Sequence, residues 1–216
     1  MVSTFLLVAG VAGANLDATD ILLTAIAGAI AGAVSMSCGE YIATKSQNEV
    51  LTGEIKLEQS HIKNYQSDEI RELSGLLELI GIESTETQIR RDLEEYYCNH
   101  PDALLKIMVA LEFGVVKTEE RSPLRAGVFS GASFVFGSLP SVLPFIAGNK
   151  ASSTALLIIA ALLTCACLLV VGIVKTWVTR GHCIRASIEN LVIAGFGGTF
   201  AYGIGVLYEM IVNGDE

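Results

Sequence analysis

The chain has 216 residues, 51% of them hydrophobic and only 17% charged, with a formal net charge of −9 and a mean hydropathy of +0.53. An average soluble domain carries roughly 25% charged residues, so this balance points to a membrane protein. The acidic excess excludes a nucleic-acid surface, which needs clustered Lys and Arg.

The first apolar segment, residues 2–15 (VSTFLLVAGVAGAN), is short for a bilayer. At about 1.5 Å per residue it covers roughly 20 Å of a hydrocarbon core near 30 Å thick. It has neither a basic stretch before it nor a small-residue cleavage site after it, so it reads as a transmembrane helix shortened at its start rather than a signal peptide. Residues 19–44 form the second segment, with no Lys or Arg before Lys45. Gly28, Gly32, Met36 and Glu40 recur there at every fourth position and share one helix ridge. The glycines offer a neighbouring helix a close approach. Above them stand a thioether and a carboxylate. An acidic group central in a span costs about 2.5–3.5 kcal/mol on insertion scales and faces a cavity or a partner. The other reading is that Glu40 lies near the interface and snorkels out, as nearby Lys45 suggests. A sulfur and oxygen pair suits a borderline divalent ion such as Fe²⁺ or Mn²⁺ better than Mg²⁺ or Ca²⁺, which take oxygen alone.

Residues 49–122 differ in kind, with 16 Asp or Glu against 8 Lys or Arg. Nearly all the acidity of the chain is therefore local. Apolar residues still recur at helical spacing, at Leu73, Leu76, Leu77 and Ile80, and again at Leu104, Leu105, Met108 and Leu111. The pattern predicts a continuation of the second helix to about residue 64, then helices over 67–80, 84–98 and 102–116. Gly81 closes one, while Ser84 with Thr87 and Pro101 mark the next starts. Such a face is either plainly solvated or an attractor of cations.

Residues 124–148, 152–177 and 187–212 are each as long as a spanning helix. With five spans and a cytosolic N-terminus, every Lys and Arg but Lys150 falls on the cytosolic side, as the positive-inside rule requires. The short loops agree, with Lys175, Arg180 and Arg185 on one side and Lys150 on the other. None of Cys38, Cys98, Cys165, Cys167 and Cys183 falls in a far-side loop, so no disulfide framework is expected. Trp177 reads as an interfacial anchor. His100 and His182 receive no role. No glycine-rich phosphate loop is present, which argues against ATP-driven pumping. The division is 1–48 for the first two spans, 49–122 for an acidic helical subdomain, and 123–216 for the last three spans.

The string Ser35-Met36-Ser37-Cys38-Gly39-Glu40-Tyr41, followed by Ser46-Gln47, resembles the second-helix signature of the vacuolar iron transporter family. That family includes the calcium-cross-complementer and nodulin-like members. The resemblance extends over nearly the whole chain, through the acidic insert, "SPLRAG" at the third span and "GIGVLY" in the last. It implies an all-α polytopic homodimer with five transmembrane helices per subunit, the first truncated here, and a cytosolic acidic subdomain. It implies transport of Fe²⁺, often also Mn²⁺, from cytosol into a vacuole or similar compartment in exchange for protons, with no prosthetic group and no enzymatic activity. Met36 and Glu40 match pathway positions.

In the insert the resemblance implies metal ligands at Glu58 and His61, Glu69 and Glu72, and Met108 and Glu112. His61 stands where the family usually has Glu. Each pair lies three or four residues apart, on one helix face. Glu58-Gln-Ser-His61 is also a Glu-x-x-His, the spacing used by di-iron bundles, and imidazole suits iron.

One departure concerns the start. Family members place an Asp-Gly just before the segment equivalent to Val2-Ser3-Thr4-Phe5, and here Met1 stands where the Gly would be. Either the chain is shortened and the longer form transports, or the group is missing. The second case favours a membrane-anchored protein that buffers iron without moving it. A ferroxidase-like site on Glu58, His61, Glu69 and Glu72 is the enzymatic alternative, and it requires O₂ consumption.

Overall fold

The computed structural model describes residues 1–82, 87–114, 121–148, 151–179 and 183–213. Expectations resting on Ser84, Lys150, Arg180 and His182, or on the side chains of Trp177, Cys183 and Arg185, lie outside the described residues. All regular structure among the described residues is helical: α1 (Val2–Gly13), α2 (Ala18–Leu79), α3 (Thr87–Asn99), α4 (Pro101–Phe113), α5 (Pro123–Ala147), α6 (Ser153–Thr179) and α7 (Cys183–Asn213). Among the described residues, four helices are long and apolar enough to cross a membrane: α2, α5, α6 over Ser153–Thr176 and α7 over Ser187–Val212. The fifth expected span, α1, has 12 residues and packs against α6 and α7.

The chain divides into two units, Met1–Glu40 with Leu124–Glu216, and Tyr41–Pro123. In the first, Val8, Ile21, Ala25, Val142, Phe145, Leu156 and Ala160 form the apolar core. Large apolar side chains such as Phe129, Phe136, Leu162 and Phe196 point outward. That pattern suits a lipid solvent, where an outward apolar residue costs nothing. Ser141 and Thr164, both buried, satisfy each other across α5 and α6 at 3.1 Å. The Ser37 hydroxyl donates to the Gly127 carbonyl at 2.7 Å, joining α2 to α5.

Glycine sets how closely α1 and α7 approach. A Cβ at Gly205 would strike the Gly10 carbonyl, and one at Gly13 would strike the Tyr202 carbonyl. Backbone cannot step aside as a side chain can. Gly205→Ala is expected to cost about 1–3 kcal/mol by overpacking, whereas Gly203→Ala, with open space around it, should be near neutral. Thermal unfolding in detergent distinguishes the two. Gly28 and Gly32 on the α2 ridge receive Leu7 and the Phe134 ring of the same chain. Both glycines also line the groove that holds Met36.

In the unit Tyr41–Pro123, α2 breaks at Tyr65 (φ −137°, ψ 40°), within the gap expected between residues 64 and 67. The Gln66 side chain donates to the Cys98 carbonyl at 2.7 Å, tying this break to the end of α3. After Leu79, Gly81 takes φ +98°. The Ile82 amide returns to the Leu77 carbonyl (3.0 Å) and the Gly81 amide to that of Glu78 (3.1 Å), the Schellman closure. Arg90 donates to the Ser74 carbonyl at 2.9 Å, fixing α3 against the second half of α2. α4 starts with Pro101 at its first turn and ends where Gly114 turns left-handed at φ +67°, short of the expected residue 116. Ile62, Leu73, Leu77, Leu104 and Met108 make the core.

Candidate metal site

The helical spacing and the Tyr65 break together place three donor groups side by side. Glu58 and His61 lie on one face of α2 before the break, and Glu69 lies after it. One donor atom from each falls within 4.8 Å of the other two. Donors bound at about 2.1 Å to a common ion lie at most about 4.2 Å apart, so a small inward movement closes the set. His61 Nδ1 is 3.5 Å from Glu69 Oε1.

Burial gives this cluster its chemical character. Glu58 is 6% and Glu69 5% exposed. Oε1 of Glu58 and Oε2 of Glu69 have no hydrogen-bond partner among the described residues. Buried carboxylate oxygens are ordinarily paired, and leaving them unpaired is costly. A cation between the two would supply the missing partner for both. The Glu58 carboxyl is pushed up to about 7, first by burial, then by the charges of Glu69 and Glu112, a hydrogen bond to Glu69, and the charge of Glu72. Glu112 is also raised, by burial first and then by Glu72, Glu69 and Glu54, with His61 opposing.

The remaining insert residues occupy different settings. Glu72 and Glu112 are exposed, yet near enough for their charges to act on Glu58. Met108 is fully buried in the apolar core beside Leu73 and Leu104. Glu54, outside the expected ligand set, also acts on Glu112, and its place four residues before Glu58 on the same helix face is the sequence signal for it. In the other unit, Met36 is 49% exposed and lines a groove of about 310 Å³ with Ser35 and Phe134. Glu40 is exposed. Lys45 pairs with Glu49 at 3.7 Å.

A raised carboxyl pKa fixes the sign of a pH dependence. Below the ordinary value near 4.5, Glu58 is protonated folded or unfolded. Between there and about 7 the unfolded chain loses this proton and the folded one keeps it, so stability falls as pH rises through that window. The metal-free protein should melt on the order of 5 °C lower above the window than below it. A saturating divalent cation should reverse the order, because it needs the carboxylate deprotonated. Thermal unfolding against pH, with and without Mn²⁺, measures both.

The sequence model of the VIT family matches residues 1–206. The chain is 30% identical over 200 residues to vacuolar iron transporter 1 of Tulipa gesneriana, covering 93% of this chain and 79% of that protein. It is 28% identical over 199 residues to vacuolar iron transporter 1 of Arabidopsis thaliana, covering 92% and 77%. With a vacuolar iron transporter of Toxoplasma gondii it shares 24% over 224 residues, covering 99% and 72%.

Proposed function

The chain belongs to the VIT family, and on that premise we propose that it carries Fe²⁺, and also Mn²⁺, from the cytosol into a vacuole or equivalent compartment in exchange for protons. The observation that carries the reading is the buried carboxylate pair of Glu58 and Glu69 beside His61, in a chain with four membrane-length helices. The relatives named vacuolar iron transporters point the same way.

In this reading the acidic unit faces the cytosol and collects the ion. Glu58, His61 and Glu69 hold it, Glu72 and Glu112 complete the set, and Met108 supplies its thioether after a side-chain rearrangement. A mixed imidazole and carboxylate set suits Fe²⁺. The ion then enters a pathway marked by Met36 and Glu40, formed between the two subunits of a homodimer of five-span chains. The half-open Met36 surface in a single chain leaves it accessible to such a pathway. Glu40 can hold either a metal or a proton, which is the physical basis of exchange. No prosthetic group and no enzymatic step enter the cycle.

The test is Fe²⁺ uptake by the purified chain in proteoliposomes. Uptake driven by an acidic lumen and abolished by a protonophore is the expected result. Fe²⁺ binding without uptake would instead identify a buffering protein.

A further inference from the structure

The cluster in the unit Tyr41–Pro123 joins two carboxylates to one imidazole, and the imidazole is the member that differs in kind. Glu58 and Glu69 are each more than nine-tenths buried. Oε1 of the first and Oε2 of the second have no hydrogen-bond partner among the described residues. His61 Nδ1 stands 3.5 Å from Glu69 Oε1, and 45% of its side chain is exposed against 7% for Glu69. The imidazole is thus the open member of the three.

The other groups acting on this site offer oxygen alone. Glu72 and Glu112 act on Glu58 through their charge, and Glu54 acts on Glu112. The Met108 thioether is enclosed in the apolar core with Leu73 and Leu104. Among the described residues, the His61 nitrogen is therefore the one borderline donor of the cluster. A set made only of carboxylates suits Mg²⁺, Ca²⁺ and Mn²⁺, whereas imidazole favours the later first-row ions, from Fe²⁺ onward. Two carboxylates already balance a divalent charge, and a neutral third donor adds no repulsion to a buried pair.

We propose that His61 sets the selectivity of this cluster: its imidazole, coordinating through Nδ1, makes the site prefer Fe²⁺ and Co²⁺ over Mn²⁺. The ring then carries its proton on Nε2. The proposal rests on the reading of Glu58, His61 and Glu69 as the residues that hold the ion, and it ranks the ions they take.

The experiment is displacement of bound Mn²⁺ by Co²⁺, followed by electron paramagnetic resonance on the full-length protein in detergent. Wild type, His61→Glu and His61→Gln are compared, with Glu58→Gln measuring binding elsewhere in the chain. Any site of nitrogen and oxygen follows the first-row order to some degree, so the change in the ratio carries the information. Both His61 variants should lower the preference for Co²⁺ over Mn²⁺ roughly tenfold. Glutamine removes the nitrogen without adding a charge, so a shift in His61→Glu alone would trace to charge and overturn the proposal. An unchanged preference in both variants overturns it as well. Pulsed resonance of bound Mn²⁺ gives a second readout: a coupled ¹⁴N in wild type, lost in both variants. Its absence from wild type overturns the proposal even if neither variant folds. A wild type that binds neither ion overturns the cluster as a metal site, and this proposal with it. Binding without Fe²⁺ uptake overturns the transport reading and leaves the selectivity of His61 standing.

Discussion

Glu58→Gln is expected to weaken Mn²⁺ binding to the full-length protein at least tenfold while making the metal-free protein more stable. The two effects share one cause. Glu58 and Glu69 are buried together, and each leaves an oxygen without a hydrogen-bond partner among the described residues. In the absence of metal that arrangement costs free energy, which shows in the Glu58 carboxyl being pushed up to about 7 by burial and by Glu69. An amide in its place carries no charge to desolvate and none to repel Glu69. The same change removes a donor from a three-group cluster, and even changes in supporting shells cost 10- to 100-fold in metal affinity. Glu69→Gln should behave likewise, and Glu78→Gln, on an exposed residue paired with Arg90 at 3.9 Å, should alter neither quantity much. Isothermal calorimetry and thermal unfolding on the same samples test the pair of effects. Loss of stability in both variants would mark the carboxylates as structural.

Met36→Ala and Glu40→Ala are each expected to reduce the initial rate of Fe²⁺ uptake in proteoliposomes by at least tenfold. Alanine at Met36 deletes the sulfur that a borderline ion exchanges for water, and alanine at Glu40 deletes the one carboxylate on that ridge. Neither side chain is part of a buried core, since Met36 is half open and Glu40 exposed. Both variants should therefore fold, and their elution and melting profiles should match wild type. Rates equal to wild type in both would remove these residues from the pathway.

Much of the helical framework is legible in the residues themselves. The apolar runs mark the long helices because a spanning helix needs about 20 apolar residues, and α5, α6 and α7 meet that need. Gly81 and Pro101 mark helix ends because one takes positive φ and the other lacks an amide proton. α4 stops at Gly114, before the expected residue 116, because that glycine takes the positive φ that ends a helix.

The candidate site was legible in part. Helix spacing pairs Glu58 with His61 and Glu69 with Glu72, but only the turn at Tyr65 decides that Glu58, His61 and Glu69 bring their donors together. Met108 carried two signals. Its position in the stripe with Leu104 and Leu111 places it in the core, where it sits, while the family resemblance marks it as a ligand.

The most direct test of the account is an anomalous difference map at the iron absorption edge, from crystals of the full-length protein grown anaerobically in Fe²⁺. The account predicts a peak bounded by Glu58, His61 and Glu69, with donor distances of about 2.0–2.3 Å. Iron found only at other positions, with these three side chains unmoved and without a peak between them, would contradict it.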